Sequence, residues 1–198
     1  MSKTKKKDEE NSNPLRAATP KFRVSFPQLF EAKAMEEGQE PKYSVTMLFP
    51  KDTDLSALEE AYDAAVAKGM DEKWKGKKPK NLRNPFRDGD EDENYCDKDG
   101  YPGHIFVRAS TKTKPGVIAT DIDPSTGKRR VIDDPAEVYA GCYARATVVA
   151  YPYDVAGNRG IAFGLQNVQK LEDGESFSGA KAAEDDFDDE YDDDDDFE

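Results

Sequence analysis

The chain has one histidine, His104, and two cysteines, Cys96 and Cys142, set far apart and matching no metal or redox spacing. A zinc site built from Cys and His therefore lacks ligands. A serine or cysteine triad lacks a placed base, because His104 opens a strand with no nucleophile motif beside it. Two reduced cysteines suit a cytoplasmic location. No apolar run approaches the ~20 residues that cross a bilayer. The opening MSKTKKKDEENSN carries charge where a signal peptide needs an apolar stretch, so a soluble intracellular chain with no membrane partner is expected.

Phosphate-loop and calcium-loop patterns are also missing. Gly76-Lys77 follows a helix, lies too far from Gly69, and is followed by Lys78 where Ser or Thr is required. Asp88, Asp90 and Asp92 have the alternate spacing of a calcium loop. Glu93, however, stands at the position for Gly, and Asp99 at the position for Glu, so a flexible acidic loop is expected. Glu31-Ala32-Lys33 has the form of half a nuclease motif, with no partnering acid upstream except in the N-terminal arm. No catalytic constellation, metal site or cofactor motif remains.

Charge is present in excess, and it is unevenly placed. The net charge is −13, from 42 acidic and 29 basic residues. From Leu171 onward fifteen acids face one base, Lys181, which leaves 28 basic and 27 acidic residues in 1–170. The body is near neutral and the tail holds the acidity, the pattern of a disordered interaction tail. Its last fifteen residues, EDDFDDEYDDDDDFE, scatter Phe187, Tyr191 and Phe197 among acids. The predicted organisation is a disordered basic arm over 1–17, a folded domain over 18–171 and a disordered acidic tail over 172–198.

Within the body, KFRVSF alternates, with Phe22, Val24 and Phe26 on one face. KYSVTMLF does the same with Tyr43, Val45, Met47 and Phe49. Leu55, Leu58, Tyr62, Ala65 and Val66 fall at helical spacing. Ser56 and Glu59 form a candidate capping box, Asp52 to Asp54 offer other caps, and Gly69 is the expected stop. Residues 75–103 read as a long loop, basic and then acidic. Strands follow at 104–111, around 116–121 and 128–132, at 139–154 and at 159–171, the last two joined by a tight turn at Ala156-Gly157-Asn158. The fold class is mainly β: a small, mostly antiparallel barrel with one helix and a long loop, with a β-sandwich as the alternative.

Two strands carry the functional signal. In 139–153 the even positions Ala140, Cys142, Ala144, Ala146, Val148 and Ala150 suit a tight interior. The odd positions include Tyr143, Arg145, Tyr151 and Tyr153. In 104–114 one face holds Ile105, Val107 and Ala109, and the other Phe106, Arg108, Ser110, Lys112 and Lys114. Rings interleaved with cations are what single-stranded nucleic acid requires, rings for bases and cations for phosphates. Lys77, Lys78, Lys80 and Arg83, near Trp74, add a candidate strand-gripping arm. The plainer reading makes these rings ordinary strand residues and the loop a solvated one.

The segments FVRASTKTKPGVI, YAGCYARATVVAYPYDVAGNRGIAFGLQNVQKL and AAEDDF together resemble a family of phage single-stranded DNA-binding proteins with an OB fold and an acidic C-terminal tail. The likeness runs roughly from Lys21 to Phe187, and the YPYD…G.AFGL.NVQ run is its most specific part. It implies an accessory role in replication or recombination in the host cytoplasm: coating single strands, removing hairpins and protecting DNA from nucleases. The tail would imitate DNA, with carboxylates for phosphates and Phe187, Tyr191 and Phe197 for bases. It would compete for the groove and recruit a polymerase, helicase or nuclease. Two other classes stay open at this point: an acidic adaptor or DNA-mimic that never touches DNA, and a metal nuclease using Asp121, Asp123 or Asp133. Self-association is also left open.

Overall fold

In the computed structural model, which describes residues 13–177, the chain forms nine strands and one α-helix. The strands are β1 (Arg16–Ala18), β2 (Phe22–Lys33), β3 (Lys42–Pro50), β4 (Arg87–Asp88), β5 (His104–Thr111), β6 (Gly116–Ile122), β7 (Arg129–Val131), β8 (Tyr143–Val155) and β9 (Asn158–Glu172). The helix α1 spans Ser56–Glu72, between β3 and β4. Among the described residues no helix is long and apolar enough to cross a membrane.

Alternating apolar side chains determine how the strands curl. Phe22, Val24 and Leu29 of β2, Val45, Met47 and Phe49 of β3, and Val107 and Ala109 of β5 are all buried in one core. They are joined there by Ala144, Ala146, Val148 and Ala150 of β8 and Ile161, Phe163, Leu165 and Val168 of β9. A face this apolar on strands of such twist is best covered by closing the sheet on itself. The pairings β8–β2, β2–β3, β3–β5, β5–β9 and β9–β8 complete a ring. A five-stranded closed barrel in this order is an OB fold, not a sandwich. It is not wholly antiparallel: β9 returns from the β8 hairpin in the direction of β5 and pairs with it in parallel, Ala109 opposite Phe163. The small residues of β8 leave room for the rings of Phe22, Phe49 and Phe163.

Three expectations need correction. The basic arm does not extend to residue 17, because Arg16–Ala18 pairs with Val149–Thr147 of β8 and Ala17 enters the core. Ser56 is not the cap of α1; its amide donates to Asp54 Oδ1 at 2.9 Å, and Leu55 occupies the N-cap position without a side-chain bond. Gly69 does not stop the helix. It is buried within it, and a Cβ there would lie 2.5 Å from the Trp74 ring and 2.8 Å from Pro152, so the glycine permits the last turn of α1 to pack closely. Trp74 is consequently a core residue, 6% exposed.

The 75–103 loop is anchored at its acidic half. Lys51 Nζ lies 2.7 Å from both Asp88 and Asp90, Gly103 N donates to Asp90 Oδ1, and Gly89 N donates to His104 O. Arg87 pairs with Asp92. These acids serve as loop anchors. The hydrogen bonds from Lys51 hold both carboxyls below the ordinary range, and those carboxylates raise Lys51 to about 12.

The β8–β9 turn and this anchor each generate a prediction. Ala156 and Gly157 have φ of 51° and 85°, the left-handed pair of a two-residue hairpin turn, in which alanine costs about 1–2 kcal/mol. Ala156→Asn should therefore raise stability by roughly 1 kcal/mol in chemical denaturation. Lys51→Met should speed amide exchange across 87–104 while leaving β8 and β9 protected. Because the Asp88 and Asp90 values are depressed, the anchor contributes above their usual 3.8 and is lost as pH falls through the folded values, so protection there, taken relative to the intrinsic exchange rate, should fall below about 3.8.

Candidate nucleic-acid interface

On the outside of the barrel, β3 is buried a second time. Ser44, Thr46 and Leu48 point away from the core yet are 2%, 7% and 0% exposed. Leu48, Tyr101 and Phe106 form a small outer cluster with Tyr95 and Phe177 packed on it. Tyr95 stacks on Tyr101 at 4.8 Å and 27°, and lies 5.0 Å from Phe106. The buried Tyr101 hydroxyl, raised in pKa chiefly by burial, hydrogen-bonds Ser25 Oγ at 3.0 Å. The anchored loop thus folds back across β2, β3 and β5 and carries rings with it.

Beside this cover runs a groove of about 700 Å³. Ser44 and Thr46 of β3 and Phe106, Arg108 and Ser110 of β5 line it, with Tyr153 of β8 and Ile161 to Phe163 of β9. The loop contributes Arg83, Arg87, Tyr95 and Lys98. Arg108 Nη2 donates to Ser44 Oγ at 3.1 Å, and Arg83 Nη2 to Asn158 Oδ1 at 3.3 Å, so neither guanidinium is neutralised by a carboxylate in these bonds. A second hollow of about 330 Å³ continues past Arg108 and Ser110 to Lys33, Lys42 and Lys112. Lys112 is paired there with Glu40 at 2.5 Å.

Phe26 lies at the groove's other edge. Its φ is 44°, within the register shift between Ser25 and Gln28 of the β2–β3 ladder and directly before Pro27, and the residue is 50% exposed. A left-handed phenylalanine costs about 1–2 kcal/mol, and a bulge of this kind re-aims a side chain outward. Lys98 Nζ sits 5.3 Å from the Phe26 ring centre and 4.5 Å from that of Tyr95. Arg87 lies over Tyr95 at 5.3 Å and over Phe106 at 4.9 Å. Rings and cations therefore alternate along the groove.

Of the residues singled out in the sequence, the groove gathers Phe106, Arg108, Tyr153 and Arg83, with Lys112 at its extension. Phe106 is 3% exposed beneath Tyr95 and forms floor, not a free stacking surface. Tyr143 and Arg145 lie elsewhere on the barrel. Tyr143 is covered by Lys21 and Arg23 at 5.1 and 5.8 Å and by Gly174, while Arg145 Nε donates to Gln169 Oε1. Tyr151, 40% exposed, packs beside Gly164 outside the groove lining. Lys114 is exposed beyond the end of β5, and Lys77, Lys78 and Lys80 are exposed after α1, also outside the lining. Phe187, Tyr191 and Phe197 lie outside the described residues. The sequence reading missed Arg87, Tyr95 and Lys98, whose loop has no periodicity. It also placed Phe26 inward by an alternation that the bulge breaks, although Pro27 within a strand is a signal of such a break.

Of the acids considered for metal catalysis, Asp121 pairs with Arg130 at 2.8 Å, and that bond lowers its pKa. Asp123 accepts from Ser125 N and Oγ in a turn. Among the described residues no three or more His, Cys, Asp or Glu gather as a metal site.

The described chain leaves the barrel beside the groove. Arg23 Nη2 donates to Glu175 O at 2.7 Å, Phe177 N donates to Ala140 O at 3.0 Å, and Arg23 lies over the Phe177 ring at 4.3 Å. Phe177 borders a cavity of about 530 Å³ whose walls include Phe26 and Lys98, both shared with the groove.

Comparison with known proteins agrees with this fold. The single-stranded DNA-binding protein of bacteriophage Enc34, solved in complex with single-stranded DNA, superposes with a TM-score of 0.68 at 26% identity, over 82% of this chain and 89% of that one. Protein p50 of Acyrthosiphon pisum secondary endosymbiont phage 1 is 34% identical over 178 residues, 84% of this chain and 89% of the relative. The single-stranded DNA-binding protein gp2.5 of bacteriophage T7 shares the fold, with a TM-score of 0.52 at 15% identity over 84% of this chain and 97% of that one. The Enc34 and T7 proteins are both single-stranded DNA-binding proteins. Residues 15–198 match the profile of the Enterobacter phage Enc34 single-stranded DNA-binding protein, and the chain belongs to that family.

Proposed function

We propose that this protein coats single-stranded DNA without reading its sequence, laying the strand along the groove between β5, β9 and the 75–103 loop. The observation that carries this reading is the alternation of rings and cations there: Phe26, Lys98, Tyr95, Arg87 and Phe106, then Arg108 and Lys112. Arg83 and Tyr153 form the opposite wall. Stacking serves every base, since each has a π face, and the guanidinium and ammonium groups meet phosphates. Ring faces and phosphate charges are common to every sequence, so the site suits coverage in phage DNA replication or recombination. An adaptor that never touches DNA has no use for such a groove.

The acidic segment acts on the same groove in this reading. Phe177 lies beside it, and the seven residues from there to Glu184 reach at most about 25 Å. Tethered carboxylates within that radius compete with phosphates at an effective concentration near millimolar. They screen off weak ligands such as duplex and, once displaced by a single strand, are free for basic surfaces on replication partners.

Binding of labelled oligo-dT, read by fluorescence anisotropy, should weaken steeply with salt. Replacing Arg108 by Gln should flatten the slope of log affinity against log salt by about 0.7, the share of one phosphate contact on a single strand. Replacing Lys77, Lys78 and Lys80 together by Gln should leave that slope nearly unchanged; equal slopes for Arg108→Gln and the unaltered chain would sink the groove assignment. A chain ending at Phe177 should bind oligo-dT more tightly than the full chain and lose discrimination against duplex, whereas unchanged affinity would reduce the tail to a solubility device.

A further inference from the structure

Within the groove one arrangement exceeds what simple coating needs. Phe26, on a strained bulge of β2, and Tyr95, on the loop, face the same lysine ammonium. Its distances of 5.3 and 4.5 Å put the two ring centres at most about 10 Å apart, the sum of the two. We propose that Phe26 and Tyr95 form a two-sided clamp for one unpaired nucleobase, with Lys98 holding its place in the free protein. The inference rests on the single-strand reading above and assigns it a particular subsite.

Three features converge on it. A base between two rings needs about 7 Å, twice the ~3.5 Å contact distance. The opening in the free chain is therefore no more than a few ångströms too wide, and it is filled by a flexible, exposed side chain that leaves easily. Tyr95 is backed: it stacks on Tyr101, whose buried hydroxyl bonds Ser25, the residue next to Phe26. Both jaws are thus referred to the same short stretch of β2. The backbone of Phe26 is held left-handed while its ring stays half exposed, and among the described residues no other ring stacks on it. Strain retained for an exposed apolar side chain is a mark of function.

The chemistry selects its ligand. Both faces of the base must be free, so a base stacked in a duplex cannot enter. Purines and pyrimidines enter alike, because nothing in the clamp reads an edge. When the base enters, Lys98 exchanges two ring faces for a phosphate. Discrimination against duplex then has a source in the groove itself, separate from the acidic tail.

The test uses the full chain and oligo-dT. Phe26→Gly removes one jaw and also relieves the left-handed backbone, so affinity should fall about tenfold, the effect of one lost stack, with no lower melting temperature. Phe26→Trp should keep affinity, and its added indole fluorescence should be quenched on binding. Photocrosslinking from 5-iododeoxyuridine should map to Phe26 and Tyr95. If the unaltered chain binds but Phe26→Gly binds within twofold of it and the Phe26→Trp signal does not change, the clamp is wrong and the groove reading stands. If the unaltered chain fails to bind, both fall together.

Discussion

The parallel pairing of β5 with β9 is the contact on which the rest depends. Without Ala109 opposite Phe163 and Ser110 opposite Gly164, the β2–β3–β5 and β8–β9 layers would present two open edges and a half-covered core. The same seam builds the groove. Arg108 and Ser110 reach it from one side of the junction, and Ile161 to Phe163 from the other. Tyr153 arrives because β8 is carried round by its long antiparallel ladder with β9. Barrel closure and assembly of the groove are thus one event.

The second layer of organisation is the loop. A long connection over an apolar sheet face ordinarily leaves buried backbone groups without partners. Here Asp88, Asp90 and Asp92 tie the chain with carboxylates to Lys51, Gly103 and Arg87, while Tyr95 and Tyr101 supply apolar cover to Leu48 and Phe106. The acids hold the loop in place, and the rings set its height above the sheet. Its cations, Arg83, Arg87 and Lys98, are left facing the groove.

Much of the barrel was legible in the sequence because a period of two is a direct record of which side faces the core. Cys142 just before β8, Ala144, Ala146, Val148 and Ala150 of β8, and Val107 and Ala109 of β5 were read correctly for this reason, as was the outward direction of Tyr143, Arg145, Tyr151 and Tyr153; Ala140 and Ile105, also read as interior, are half-buried outside the core. Alternation separates inside from outside but does not say which side of the barrel an outward residue meets. β8 is thirteen residues long and wraps the barrel, so Tyr143 and Tyr153 share a strand face and reach different surroundings. Phe106 was outward as read, yet hidden, because Tyr95 comes from a segment with no period to extrapolate. Phe26 escaped because one bulge before Pro27 inverted its side. The closing seam itself could not be read, since parallel pairing between strands nearly fifty residues apart leaves no local mark.

That separation also sets a timetable for the nascent chain. β5 ends at Thr111, and β9 does not begin until Asn158. At ordinary synthesis rates the partner of β5 follows it by roughly 2–10 s. During that interval the Ala109–Ser110 edge of β5 is available to any other extended segment, including the same strand of a sister chain on a neighbouring ribosome. Lys112 and Lys114, just past the end of β5, put positive charge beside that waiting edge. The lysines that follow β5 can thus act first as guards against misassociation, by mutual repulsion between identical edges, before the barrel has closed.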